Sequence, residues 1–142
     1  MKNKETVLPA PVLIVEDEAM IRSRLDLILS ELGYSQDMLI FAKNLAEAMQ
    51  IIASQPISLA LVDLGLPDGN GITLIEKLRG IDESALILVI SAWSTQQSLF
   101  ASIKAGANGY VLKERDDAEV LMSIRSILRG GAPIDPLLLA KF

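Results

Sequence analysis

Residues 58–71 read SLALVDLGLPDGNG. An apolar run, Leu59–Val62, stops on an acidic residue, Asp63, and Gly65, Pro67, Gly69 and Gly71 follow it. A short apolar run bounded by turn residues is what a strand covered on both faces looks like. The carboxylate at its tip is either turn punctuation or the start of a site, and the neighbouring segments decide which.

Working outward, four more short apolar runs are found, giving candidate strands at Val12–Val15, Met38–Phe41, Leu59–Val62, Leu86–Ile90 and Gly109–Leu112. The first, third and fourth are rich in Val, Ile and Leu throughout, whereas the second and fifth are less pure, as edge strands are. Helical periodicity fills the gaps. Ile21, Leu25, Ile28, Leu29 and Leu32 share a face ended by Gly33. Asn44 with Glu47 marks the start of a second helix, Ile72, Ile75 and Leu78 a third, Ser94 with Gln97 the start of a fourth, and Asp116 with Glu119 the start of a fifth. Strand and helix alternate five times, which predicts an α/β fold with a doubly wound parallel sheet and right-handed crossovers. There is no internal repeat and no low-complexity tract.

Composition narrows the chemistry. The 142 residues fit one domain with a core, 51% are hydrophobic and 22% charged, and the net charge is −5. That excludes a disordered chain, and the acidic surface argues against this segment gripping a phosphate backbone. There is no Cys and no His, so thiol catalysis, disulfides, His triads and Cys- or His-ligated metals are excluded. The N-terminus is a poor signal peptide and no run approaches a membrane span. The expectation is a cytoplasmic protein that does not engage a membrane.

In such a sheet, sites form at the carboxyl ends of the strands. Those ends carry Glu16 and Asp17, then Asp63, then Ser91 and Ala92, then Lys113. Each alone is ordinary: Asp63 a turn residue, Glu16-Asp17 a helix start, Lys113 a solvated cation, Ser91 a strand-end hydroxyl, Tyr110 edge-strand packing. Together they place three acids, a hydroxyl and an ammonium on one rim. An all-oxygen ligand set suits a hard cation, Mg2+ or Mn2+. With that charge present, Asp63 could attack phosphorus and form an acyl phosphate, with Ser91 and Lys113 on the remaining oxygens.

The segments 13-LIVEDE-18, 61-LVDLGLPDGNGITLI-75, 89-VISA-92 and 106-GANGYVLKE-114 resemble the response-regulator receiver domain of two-component signalling, from about Val12 to Gly130. The resemblance implies a flavodoxin-like (βα)5 fold with strand order 2-1-3-4-5. It implies Asp63 as phosphoacceptor, Asp17 as direct and Glu16 as water-mediated metal ligand, and Gly65 as the ligating carbonyl. Ser91 and Lys113 then hold the phosphoryl group, Tyr110 is the aromatic that rotates inward, and Ala92 is the small residue that leaves room for it. Gly65 and Trp93 flank the line of water attack, with Trp93 as a shield. The implied partner is a histidine kinase, and a homodimer on phosphorylation is a further expectation.

One position departs from the pattern: Glu114, not Pro, follows Lys113. A cis bond is therefore not expected there, and a looser loop is. The tail, 132-APIDPLLLAKF-142, resembles that of NarL/FixJ-type regulators. The expected organisation is an extension at 1–11, a receiver at 12–130, and a linker-like segment at 131–142 leading toward a LuxR-type DNA-binding domain absent from this chain. The alternative is a stand-alone receiver or interaction module without DNA-binding output. A phosphohydrolase with an Asp nucleophile is the rival from another class; its usual second Asp, two residues on, is Gly65 here.

Overall fold

The computed structural model describes residues 7–139. Its main sheet has five parallel strands: β1 (Val12–Val15), β2 (Leu39–Ala42), β3 (Leu59–Val62), β6 (Leu86–Ser91) and β7 (Gly109–Leu112). β4 (Gly65–Leu66) and β5 (Gly69–Asn70) are the arms of a small hairpin just after Asp63. The spatial order is β2-β1-β3-β6-β7, which is 2-1-3-4-5 among the five long strands. Three strands have the expected bounds. β2 begins and ends one residue later than its apolar run, and β6 runs one residue further, taking Ser91 into the sheet.

Alternation along the strands divides the core in two. Val12, Ile14, Leu59, Leu61, Leu88, Ile90 and Val111 pack under α1 (Ala19–Glu31) and α5 (Asp117–Leu128). Leu13, Val15, Ala60, Val62, Ile87, Val89, Tyr110 and Leu112 pack under α2 (Leu45–Ser54), α3 (Gly71–Ile81) and α4 (Gln96–Ala105).

The helices α2 to α5 begin where side chains satisfy their first amides. Asn44 accepts from Glu47 N–H at 2.8 Å, Asn70 from Ile72 N–H at 2.9 Å and Asp116 from Glu119 N–H at 2.9 Å. For α4 the expected cap was off by one: Thr95, not Ser94, caps it, accepting from Ser98 N–H at 3.1 Å. Asp68 of the hairpin accepts from Leu45 and Ala46 N–H at 2.7 and 2.9 Å, tying the loop after Asp63 to the start of α2.

The tail packs against the domain as far as Leu139. Tyr110 N–H donates to Pro133 O and Asp135 N–H to Tyr110 O, both at 2.9 Å, so the chain extends the sheet beyond β7. A side chain at Gly109 would meet Pro133 O at 2.6 Å, so the bare backbone there is what lets the tail lie this close. Asp135, 3% exposed, accepts from Leu112 N–H at 3.1 Å and from Arg115 Nε at 2.9 Å, and pairs with Arg115 Nη2. It also caps α6 (Pro136–Leu139) through Leu137 N–H. Leu138 is fully buried in the cluster that holds Tyr110.

Leu138→Ala is expected to lower the unfolding free energy by about 2 kcal/mol, the cost of a buried-leucine cavity near a chain end. Urea titration checks this; an unchanged midpoint means the tail is undocked in solution.

Candidate functional site

The rim of the sheet is built by backbone bonds that run one residue past the strands. Glu16 N–H donates to Ala42 O at 3.0 Å, Asp63 N–H to Val15 O at 3.0 Å and Lys113 N–H to Ser91 O at 2.9 Å. Each charged residue is thus held in register with a neighbouring strand. Alternation then sorts them. Glu16, Asp63 and Lys113 continue the face that carries Ile14, Leu61 and Val111, whereas Ser91 continues the face of Val89 and Tyr110.

Lys113 is the centre of the charged group. Its Nζ lies 2.9 Å from Asp63 Oδ2, 2.9 Å from Glu16 Oε1 and 3.3 Å from Glu18 Oε1. Asp63 and Glu16 are buried, at 5% and 1% exposure, while Asp17 is exposed. Carboxylate oxygens of Glu16, Asp17 and Asp63 lie within 4.8 Å of one another, a grouping that could hold a metal ion. Gly65 N–H donates to Asp63 Oδ1 at 3.3 Å.

The electrostatics are those of excess negative charge in a partly dry place. Burial raises the Asp63 carboxyl above its ordinary value, against the hydrogen bond and charge of Lys113 that lower it, and Asp17 adds to the rise. Burial raises Glu16 too, again opposed by Lys113. For Lys113, burial acts to lower the value, but the bonds to Glu16 and Asp63 outweigh it and hold the ammonium above its ordinary range. One cation serves several acids, and negative charge remains in excess.

On the opposite face, Ser91 is fully buried and its Oγ accepts from Trp93 N–H at 3.1 Å. Tyr110 is fully buried, and its hydroxyl donates to Trp93 O at 2.6 Å. Burial raises the Tyr110 phenol, opposed by hydrogen bonding with Ser91 and Ser98. The aromatic expected to turn inward is therefore inside, beside the hydroxyl expected to recruit it. Ala92 is exposed on the rim. The Trp93 indole, 42% exposed, lies over Gly65: a side chain there would meet its Cζ2 at 3.2 Å. Gly65 and the Trp93 ring are thus neighbours beside the loop that follows Asp63.

Sequence reading missed how the loop after Lys113 is held. The Lys113–Glu114 bond is not cis, as expected, but the loop is not loose. Arg24 Nη1 donates to Lys113 O at 2.8 Å and Nη2 to Arg115 O, while Nε pairs with Asp117. A single arginine inside a helix carries no local mark of such a role.

With this geometry in hand, the chain belongs to the response-regulator family: the profile described as "Response regulator receiver domain" matches residues 12–125. Receiver domains are the phosphoacceptor switches of two-component signalling, and they bind Mg2+ at an acidic pocket. The chain is 35% identical over 118 residues to the transcriptional regulatory protein PhoP of Escherichia coli K12, covering 83% of this chain and 52% of that protein. It therefore spans about half the length of that relative. Among solved structures it is similar to a LuxR-family two-component response regulator from Aurantimonas sp. SI85-9A1, with TM-score 0.77 and 25% identity over 93% of this chain and 94% of the other. It shares its fold with the isolated receiver domain of RcsB from Salmonella enterica serovar Typhimurium, solved with phosphomimetic BeF3−, with TM-score 0.79 and 17% identity over 93% of this chain and 97% of the other.

Because burial raises the folded-state value of Asp63, the folded protein holds that proton more tightly than the unfolded chain does. The associated stability is greatest below the ordinary Asp value and falls as pH rises through the folded one. Asp63→Asn is accordingly expected to raise the denaturation midpoint at pH 7 in EDTA, and to lose most of the gain that Mg2+ gives wild type. A lower midpoint in EDTA would mean the Lys113 pair outweighs the burial cost.

Proposed function

We propose that this chain is a phosphorylation switch in which Asp63 accepts a phosphoryl group from a partner histidine kinase. The observation that carries this is the buried Asp63 carboxylate bound by Lys113 Nζ at 2.9 Å, beside two further acids. The Asp63 oxygen attacks phosphorus, a new O–P bond forms, and the donor imidazole leaves as its P–N bond breaks. Glu16, Asp17, Asp63 and the Gly65 carbonyl are the groups to hold a divalent ion, Mg2+ or Mn2+. Such an ion offsets the repulsion between the acceptor and the incoming phosphoryl oxygens. Lys113 pairs with one of those oxygens and the Ser91 hydroxyl donates to another.

Engaging Ser91 favours the inward place of Tyr110 and so biases the face made by α4, β7 and α5. Ala92 keeps the rim low where this pair operates. The ring of Trp93 over Gly65 restricts water at the acyl phosphate and lengthens its life. The chain acts on no separate substrate; it takes phosphate from small donors and hydrolyses its own. The setting is cytoplasmic, with no contact to a membrane; among the described residues, no helix is long and apolar enough to cross one. The output is transcriptional, of the NarL/FixJ type through a LuxR-type domain outside this chain, with a homodimer forming on phosphorylation. Likeness to a LuxR-family regulator over 93% of this chain and 94% of the other supports that reading.

Incubation with acetyl phosphate and Mg2+ tests the site. Intact mass is expected to rise by one phosphoryl group in wild type and not in Asp63→Asn, and in Trp93→Ala the label is expected to decay roughly tenfold faster. Full labelling of Asp63→Asn overturns the acceptor; continuous release of phosphate without a labelled species makes the protein a hydrolase; equal decay removes the shield.

A further inference from the structure

We propose that Arg24, on α1, is a positioning residue for Lys113. The inference rests on the reading of Asp63 and Lys113 given above and extends it to a residue outside the strand tips.

Lys113 has to bring the end of a flexible four-carbon stem to within hydrogen-bond distance of Asp63 and Glu16. How well it does so depends on where its own backbone sits. On the N-terminal side that is settled: Lys113 N–H donates to Ser91 O at 2.9 Å, the last rung of the sheet. On the C-terminal side the chain leaves the sheet into a turn, and no proline restricts the next residue. The turn is closed by Arg115 N–H on Leu112 O at 3.1 Å, which leaves the Lys113 carbonyl free of it, and Arg24 restrains that carbonyl directly. Its Nη1 donates to Lys113 O at 2.8 Å, and its Nη2 donates to Arg115 O two residues on. Its Nε pairs with Asp117, in the first turn of α5.

The guanidinium is a rigid planar fork, and three of its nitrogens are spent on one five-residue stretch. The side chain is 20% exposed, so these bonds are partly shielded from water. Lys113 is thus gripped at its amide by β6 and at its carbonyl by α1, and its stem leaves from a fixed root. Without Arg24, the three carboxylates pull on Nζ while the Lys113 carbonyl loses its side-chain anchor and the turn keeps only the bonds of its neighbours, Arg115 N–H on Leu112 O among them. Glu18, 61% exposed and 3.3 Å from Nζ, then competes with Asp63 for the ammonium.

A merely structural role, stapling α1 to α5, predicts something different, and a double-mutant cycle separates the two. Arg24→Ala is expected to slow labelling by acetyl phosphate roughly tenfold in the wild-type background. In the Lys113→Ala background it is expected to cause no further loss, because it acts through the lysine. Arg24→Lys, which keeps one donor to the Lys113 carbonyl, is expected to recover part of the rate. A fall of the same factor in both backgrounds, or no fall in either, overturns the proposal.

A second readout is independent of phosphorylation. In EDTA, the Lys113 ammonium of wild type is expected to give a slowly exchanging 15N–1H signal, weakened or lost in Arg24→Ala; an unchanged signal overturns the proposal. If Asp63→Asn labels as wild type does, the reading of the acceptor fails, while the ammonium signal still decides the role of Arg24.

Discussion

The bond between Lys113 and Asp63 organises this protein. Burying a carboxylate is costly unless a cation meets it, and here one ammonium meets Asp63, Glu16 and Glu18 together. The arithmetic of charge does not close: the two buried acids remain raised despite the lysine. A fold shaped only for stability would replace such a cluster by apolar side chains. Keeping it makes sense where a divalent ion and a phosphoryl group complete the charge balance, and this is the physical reason to read the rim as a site.

The pleat gives the site two sides. The charged residues lie on the α1/α5 side of the sheet and Ser91 with Tyr110 on the α4 side. Chemistry at Asp63 and the response at Tyr110 are thus separated by the thickness of the strand tips. What joins them is backbone: Lys113 N–H on Ser91 O, and Tyr110 three residues before Lys113 on β7. The tail belongs to the same connection. Tyr110 holds Pro133 and Asp135 through both its peptide groups, and Arg115, two residues past Lys113, clasps Asp135. The β7 edge of the expected output face is covered by the chain itself.

Much of this was legible in the sequence, and the limits have physical causes. Strand bounds at Val12–Val15 and Leu59–Val62 followed from continuous apolar runs, because buried parallel strands have no polar face to blur them, and those of the less pure edge strand Gly109–Leu112 were legible too. The site residues followed from chain order, since strand ends in such a sheet share one rim. What failed was what depends on distant partners. Asp135 caps α6, but nothing local in the sequence shows that its carboxylate also binds Arg115 and Leu112. The pocket of Leu138 is made by residues far earlier in the chain, which no local pattern reveals. Arg24 carries no local mark of its contacts, and the missing proline after Lys113 suggested slack where a guanidinium supplies order.

The account stands or falls on whether Asp63 and its acidic neighbours bind an ion and a phosphoryl group together. The most direct measurement is the 19F NMR spectrum of the protein with beryllofluoride, recorded with Mg2+ and then with EDTA. The account predicts resolved protein-bound fluorine resonances that need both Mg2+ and the Asp63 carboxylate. Bound resonances that persist in EDTA, or none with Mg2+ at saturating beryllofluoride, would contradict it.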